Sequence, residues 1–237
     1  MKKMVESSTV IEKEEKEDKL NTKALGFDLL YAGFKGIGGL GLKAVMDLKI
    51  EGKENVPVRG KAILVTISKN VIRDILVVSQ ITGRKVHFMV SHKLMKHQIY
   101  GPIFKSLVMF RSTIDKDDTE PIDKVFELLN EKGDLVAMTP EAKHDREIQI
   151  KSIAGIIKFA IAGDTPIIPL AIYGYKTKLL GIFPGDGLKV KVGNPIRADK
   201  KLNREKFRTQ RYELAEDILN IIDTLRTDPD FSELETQ

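Results

Sequence analysis

Lys69 and Asp74 stand five residues apart, where an apolar run breaks into a polar turn and then resumes. The run Ile63-Leu-Val-Thr-Ile67 is rich in β-branched residues and reads as a strand. Ser68-Lys-Asn70 is the turn, and Val71 opens a helical segment that holds Asp74 near its start. A strand that feeds a helix delivers the connecting turn to the carboxyl edge of a sheet, where open α/β enzymes place their reactive groups. An amine and a carboxylate at such a junction are candidates for acid–base chemistry. Histidine is the side chain best suited to that work near neutral pH. It occurs at positions 87, 92, 97 and 144, none of them in this junction.

The elements that must position this junction alternate along the chain. Strands are expected at Lys61–Ile67, Val86–Val90, Lys105–Phe110, Asp134–Met138, Pro166–Tyr173 and Leu188–Val192. Helices are expected at Val71–Ile81, ended by Gly83, and at Pro121–Lys132, with proline in the first turn and Gly133 past the end. Another is expected at Ser152–Ala162, with a serine cap and Gly163 as its stop. Asn203–Arg226 reads as a long amphipathic helix with Phe207, Leu214, Ile218, Ile221 and Leu225 inward. Strands spaced by helices predict an α/β fold, one mixed, largely parallel sheet flanked by helices.

The first half-century of residues divides into two parts. Residues 1–24 balance six lysines against six acids, the Glu12–Lys19 run is all charge with no apolar stripe, and the segment reads as a disordered or loosely helical charged arm. No apolar run follows Lys2 and Lys3, so no signal peptide is expected. Residues 25–48 are apolar with sparse charges at Asp28, Lys35, Lys43 and Asp47. Those charges and the glycines of this stretch disfavour a membrane span, which needs about 20 apolar residues. Two readings remain. One is a helix lying in a membrane interface, with Phe27, Leu30, Tyr31, Phe34 and Ile37 near one face. The other is a helical hairpin packed on the protein's own core. The α/β domain then spans 49–226, and 227–237 is an acidic tail without a base.

The absence of cysteine excludes disulfides and thiolate metal sites. Residues 25–226 hold 33 basic against 24 acidic side chains, a balance that suits an anionic partner or simply a lysine-rich solvated surface. Nucleic acid is a poor fit, because no Gly-rich phosphate loop and no basic motif interleaved with aromatics is present.

Four blocks carry a family resemblance. Ile50-Glu-Gly-Lys-Glu-Asn-Val-Pro57 with the strand after it, Thr139-Pro-Glu-Ala-Lys143, Thr165-Pro-Ile-Ile-Pro-Leu-Ala-Ile172 and Lys189-Val-Lys-Val-Gly-Asn-Pro-Ile196 resemble, in order and spacing, the blocks of the lysophospholipid (1-acylglycerol-3-phosphate) acyltransferases. The resemblance implies a glycerolipid-acyltransferase-like fold. It also implies acyl transfer from acyl-CoA or acyl-carrier protein, as a donor substrate with no cofactor, to a lysophospholipid hydroxyl. In that family a His-x-x-x-x-Asp motif supplies the base. Asp74 falls on the aspartate, and Lys69 stands in the histidine's place. A lysine amine is almost wholly protonated at neutral pH, so it is a poor proton acceptor. The family's Phe-Pro-Glu-Gly-Thr-Arg block keeps Glu141 and replaces Gly-Thr-Arg by Ala142, Lys143 and His144. Its phosphate-binding arginine has a counterpart in Arg111, one residue after Phe110, although the strict register falls on Thr113 or Ile114. The implied site is Lys69 and Asp74 as catalytic groups, with Arg111, Glu141 and Lys143 holding substrate. The implied partners are a lysophospholipid, an acyl thioester and a phospholipid surface, reached peripherally from the cytoplasmic side. An altered base leaves open a second reading, a non-catalytic lipid-binding or membrane-surface relative.

Overall fold

The computed structural model describes residues 26, 28–40, 47–67, 70–98, 101, 104, 109–113, 115, 117–141, 143–174 and 187–227. The charged arm, Phe27, Lys69, residues 105–108 of one expected strand and residues 228–237 of the acidic tail lie outside them. Seven strands form a single sheet: β1 (Lys49–Glu51), β2 (Ala62–Val65), β3 (Val86–Val90), β4 (Met109–Arg111), β5 (Leu135–Met138), β6 (Ile167–Tyr173) and β7 (Lys189–Val192). Their order is β1-β7-β6-β2-β5-β3-β4. All neighbours pair in parallel except β6 with β7. The sheet is therefore mixed and mostly parallel, as the alternation of elements predicts.

Every residue of β2 is buried, which is what a central parallel strand covered on both faces demands. Ala62 and Leu64 face one core cluster, and Ile63 and Val65 the other. The first cluster is closed by helix α1 (28–40), helix α2 (Val71–Ile81) and the short helix α3 (His92–Met95). The second is closed by α4 (Glu120–Phe126), α5 (Arg146–Ala162) and α6 (Arg208–Thr227). Asn70 caps α2 by accepting the Arg73 N–H at 3.1 Å, so the polar turn after β2 is also the start of the helix. The closing Gly-Asn-Pro-Ile block is structural: Ile196 and Ile167 exchange backbone bonds of 2.8 and 2.7 Å, pinning the chain to the start of β6. Asn55 does the same for the first block by donating to the Val192 carbonyl at 3.0 Å.

Three expectations are corrected. Helix α5 begins at Arg146, six residues before the expected Ser152 cap. Ser152 instead donates back to the Ile148 carbonyl at 2.9 Å, so it lies inside the helix. In the C-terminal segment, two 3-10 turns (Lys200–Asn203 and Glu205–Phe207) precede α6, and Ile221 is 37% exposed. The buried face is Arg211, Ala215, Ile218, Leu219 and Ile222, because Arg211 reaches inward to donate to the Leu202 carbonyl at 2.6 Å. The helix from Pro121 is α-helical only to Phe126 and continues as a π-helical stretch, Glu127–Glu131.

Helix α1 splits the apolar face expected for it. Tyr31 is buried and its hydroxyl accepts the Val86 N–H at 3.1 Å, while Phe34 packs on the first cluster. Lys35 donates to the carbonyls of Thr82 and Arg84, and Gln80 donates to the Lys35 carbonyl at 2.9 Å. At Gly38 a Cβ would come within 2.6 Å of Leu76 Cδ2, so glycine lets α1 lie directly on α2. Leu30 and Ile37, expected beside Tyr31 and Phe34, point the other way with Leu29 and Leu40, and these four are 53–77% exposed.

At the amino edge of the sheet Arg84 donates to the carbonyls of Pro57, Gly60 and Gly133 at 3.0, 2.5 and 2.8 Å. Beside it His87 Nε2 lies 2.9 Å from Asp134. Burial pushes the His87 pKa down, and the Asp134 hydrogen bond, which pushes it up, does not overcome that. The folded state thus prefers neutral imidazole. The stability this group contributes is present above the unfolded histidine range, near 6.5, and is lost as pH falls below it. The expected result is a melting temperature that drops between pH 7 and pH 5, with a smaller drop in His87→Gln. Equal drops in the two proteins would remove His87 as the cause.

Candidate functional site

The carboxyl ends of β2, β3, β4 and β5 lie along one edge, and each delivers polar residues there. After β2 comes Thr66, which is buried and whose Oγ1 has no partner among the described residues. The chain then passes Ile67 and enters α2, where Asp74 sits in the first turn and is only 1% exposed. Arg73 donates to Asp74 Oδ1 through Nε at 2.7 Å and Nη2 at 2.5 Å. From the far end of the chain, Arg226 donates to the Ile67 carbonyl at 3.1 Å and to Asp223 at 3.2 Å. Asp223 in turn accepts from Arg146 at 2.8 Å, so α6 ties the end of β2 to the start of α5.

Arg111 ends β4. Asp118 accepts from both of its terminal nitrogens, one at 2.9 Å, and Glu120 from one at 2.6 Å. The Asp118 bonds, then the Glu120 bond, raise its pKa further above the ordinary arginine range. Its fork is filled by two carboxylates. The hollow it lines, about 960 Å³, also carries Asp123, Glu127 and Glu131. Glu127 is held down at about 2 by hydrogen bonds from Lys124 and then Lys132. This hollow is anionic as well as cationic.

The loop after β5 builds a different cavity. Glu141 and Lys143 form an ion pair of 2.5 Å. Glu141 and His144 line about 370 Å³ together with Ser112 and Thr113 after β4, Lys151 and Ser152 on α5, and an apolar wall that includes Met89, Met138 and Phe159. The cavity shares Thr113, Gly155 and Phe159 with a more apolar groove of about 590 Å³ between α4 and α5.

The expected site residues are thus placed on one sheet edge but in separate surroundings. Glu141 and Lys143 meet, Arg111 is turned to Asp118 and Glu120, and Asp74 is turned to Arg73. Lys69 lies outside the described residues. Sequence reasoning passed over Arg73, Asp118, Glu120 and Arg226. The acidic run Asp115–Glu120 directly after Arg111 was a usable signal for its partners. No local pattern points from Arg226 to Ile67, 159 residues away. Among the described residues no group of three or more His, Asp or Glu side chains is arranged to hold a metal ion. No helix among them is long and apolar enough to cross a membrane.

Comparison with known proteins gives the following. A protein-family model described as Acyltransferase matches residues 47–173, more than half of the chain. Among solved structures, the 1-acyl-sn-glycerophosphate (LPA) acyltransferase PlsC from Thermotoga maritima is similar, with a TM-score of 0.53 and 16% identity over 89% of this chain and 84% of that one. The pilus retraction motor PilT with bound ADP aligns at a TM-score of 0.31 and 15% identity, covering 80% of this chain and 70% of that one, too weak a likeness to carry an argument. No curated protein matches the chain.

Proposed function

This chain belongs to the acyltransferase family, and on that premise we propose that it moves an acyl group from acyl-CoA or acyl-carrier protein to the hydroxyl of a lysophospholipid, working at a phospholipid surface. The observation that carries the reading is the junction after β2, where Asp74 is buried in the first turn of α2, inside the region that the family matches. The fold likeness to an LPA acyltransferase supports a glycerolipid acceptor. Glu141, which lines the neighbouring cavity, and its ion-pair partner Lys143 are charged groups available to an acceptor headgroup. Arg111 meets a phosphate only by exchanging Asp118 and Glu120 for it. The exposed Leu29, Leu30, Ile37 and Leu40 of α1, with the basic body of the chain, suit insertion into an anionic leaflet. On this reading the protein works peripherally, on the cytoplasmic face.

Lys69 is the departure from the family's chemistry, because an ammonium group has no lone pair with which to accept the hydroxyl proton. Catalysis here is therefore remodelled. A second reading, a non-catalytic lipid-binding relative, is favoured by the two carboxylates that occupy Arg111. Release of free CoA from palmitoyl-CoA in vesicles containing lysophosphatidate separates the two. The expected result is release that depends on lysophosphatidate in the native protein, raised about tenfold by Lys69→His, which restores a base that is unprotonated near neutral pH. No release from the native protein, together with release after Lys69→His, selects the non-catalytic reading.

A further inference from the structure

We propose that His144 is the proton acceptor of this site, acting from the cavity between the loop after β5 and helix α5. The proposal rests on the acyl-transfer reading and supplies the base that Lys69 does not. Of the four imidazoles, His87 lies at the opposite edge of the sheet, bonded to Asp134. His97 is exposed beyond α3. His92 has a buried Nδ1 without a partner among the described residues, but it lines none of the three hollows described above. His144 alone lines one, at the carboxyl edge where β3, β4 and β5 end.

Its position is held from both sides. The His144 N–H donates to the Glu141 carbonyl at 3.2 Å, and its own carbonyl accepts from Gln149 Nε2 at 2.7 Å, anchoring the loop to the first turns of α5. The two bonds fix the His144 backbone beside the cavity that the residue lines, and a fixed backbone narrows the positions from which a general base can act. The cavity is amphiphilic: Ser112, Thr113 and Ser152 line it together with Met138, Ile156 and Phe159. It shares Thr113, Gly155 and Phe159 with the adjacent groove of about 590 Å³ that Ile122 and Phe126 also line. A Cβ at Gly155 would meet nothing within 4 Å, so helix α5 leaves open space in its middle. The two hollows together fall in the size range of small-molecule sites. Their sequence of polar mouth and apolar groove fits an amphiphile whose chain lies between α4 and α5 and whose reacting end reaches His144.

The step follows from that placement. The acceptor hydroxyl attacks the thioester carbonyl carbon as its proton passes to an imidazole nitrogen. The tetrahedral intermediate collapses, the C–S bond breaks, and the imidazolium returns the proton to the leaving thiolate. The products are the new ester and the free thiol. Glu141 and Lys143 on the same loop and Lys151 on α5 are the charged groups around the cavity.

Two measurements on the full chain test this. Carbethoxylation of histidines by diethyl pyrocarbonate, followed peptide by peptide by mass spectrometry, is expected to slow at least about fivefold at His144 when palmitoyl-CoA is present, with His97 unaffected. In the CoA-release assay, His144→Gln and His144→Asn are expected to lower kcat about a hundredfold with KM for palmitoyl-CoA changed less than about threefold. His97→Gln is expected to change neither, and melting curves establish that the variants fold. Turnover by the native protein with less than a threefold loss of kcat in folded His144→Gln overturns the proposal and leaves the acyl-transfer reading standing. Unslowed modification of His144 by palmitoyl-CoA also overturns it. A native protein without turnover refutes the acyl-transfer reading itself, and the base role with it.

Discussion

Replacing Leu29, Leu30, Ile37 and Leu40 by glutamine is expected to lower the partition of the protein onto vesicles of phosphatidylglycerol and phosphatidylcholine by roughly a thousandfold, if each exposed side chain contributes about 1 kcal/mol on entering the leaflet. The four sit on one side of α1 and are 53–77% exposed. The opposite side is held to the body by Tyr31, Phe34 and Lys35. Glutamine keeps helix propensity close to that of leucine. The substitution thus removes apolar surface without touching a docking contact, and the melting temperature is expected to move by less than about 2 °C. Vesicle sedimentation checks the first expectation and calorimetry the second. Unchanged sedimentation of the quadruple variant removes α1 as the membrane contact. A large fall in melting temperature means instead that these side chains are covered in solution.

Asp74→Ala is expected to destabilise the fold by about 3 kcal/mol, a fall of about 9 °C in melting temperature for a chain of this size. Asp74 is 1% exposed, and Arg73, whose side chain is 12% exposed, places two of its nitrogens on one carboxylate oxygen. Removing the carboxylate takes two hydrogen bonds from a largely buried guanidinium and leaves a small void where a buried side chain stood. Asp74→Asn keeps the shape and a carbonyl acceptor, so about half the loss is expected. The pair Arg73→Met, Asp74→Asn is expected to be more stable than Asp74→Asn alone, because both charges of the pair are then removed together. Urea titrations with an unchanged m-value provide the measurement. A loss below about 1 kcal/mol for Asp74→Ala means that the pair is solvated and that Asp74 has no structural role at the junction.

The β-branched runs, the glycine stops and the alternation of elements were enough to read a mixed, largely parallel sheet, since strands buried on both faces are written as unbroken apolar stretches. Errors arose where periodicity is weak. The polar first turns of α5, from Arg146 to Lys151, carry few apolar residues, so Ser152 looked like a cap. Along α6 the apolar residues at 214, 218, 221 and 225 form a plausible stripe, but the buried Arg211 rotates the helix toward 211, 215, 218, 219 and 222. For α1 the residues are apolar nearly all round, and no sequence pattern tells which apolar side meets the core. The contacts of Tyr31, Phe34 and Lys35 with the body decide it.

By itself the amino-acid sequence determined that Asp74 follows a strand, that Lys69 precedes it by five residues in the connecting turn, and that Glu141, Lys143 and His144 follow a second strand. These are consequences of order and spacing along the chain. Only the tertiary structure decided what each group faces: Asp74 turned to Arg73, Arg111 held by Asp118 and Glu120, and His144 set on the wall of a cavity beside an apolar groove. The physical reason is that a side chain's partners are chosen by packing between elements distant in sequence, and a contact such as Arg226 to Ile67 leaves no local trace for periodicity or motif to register.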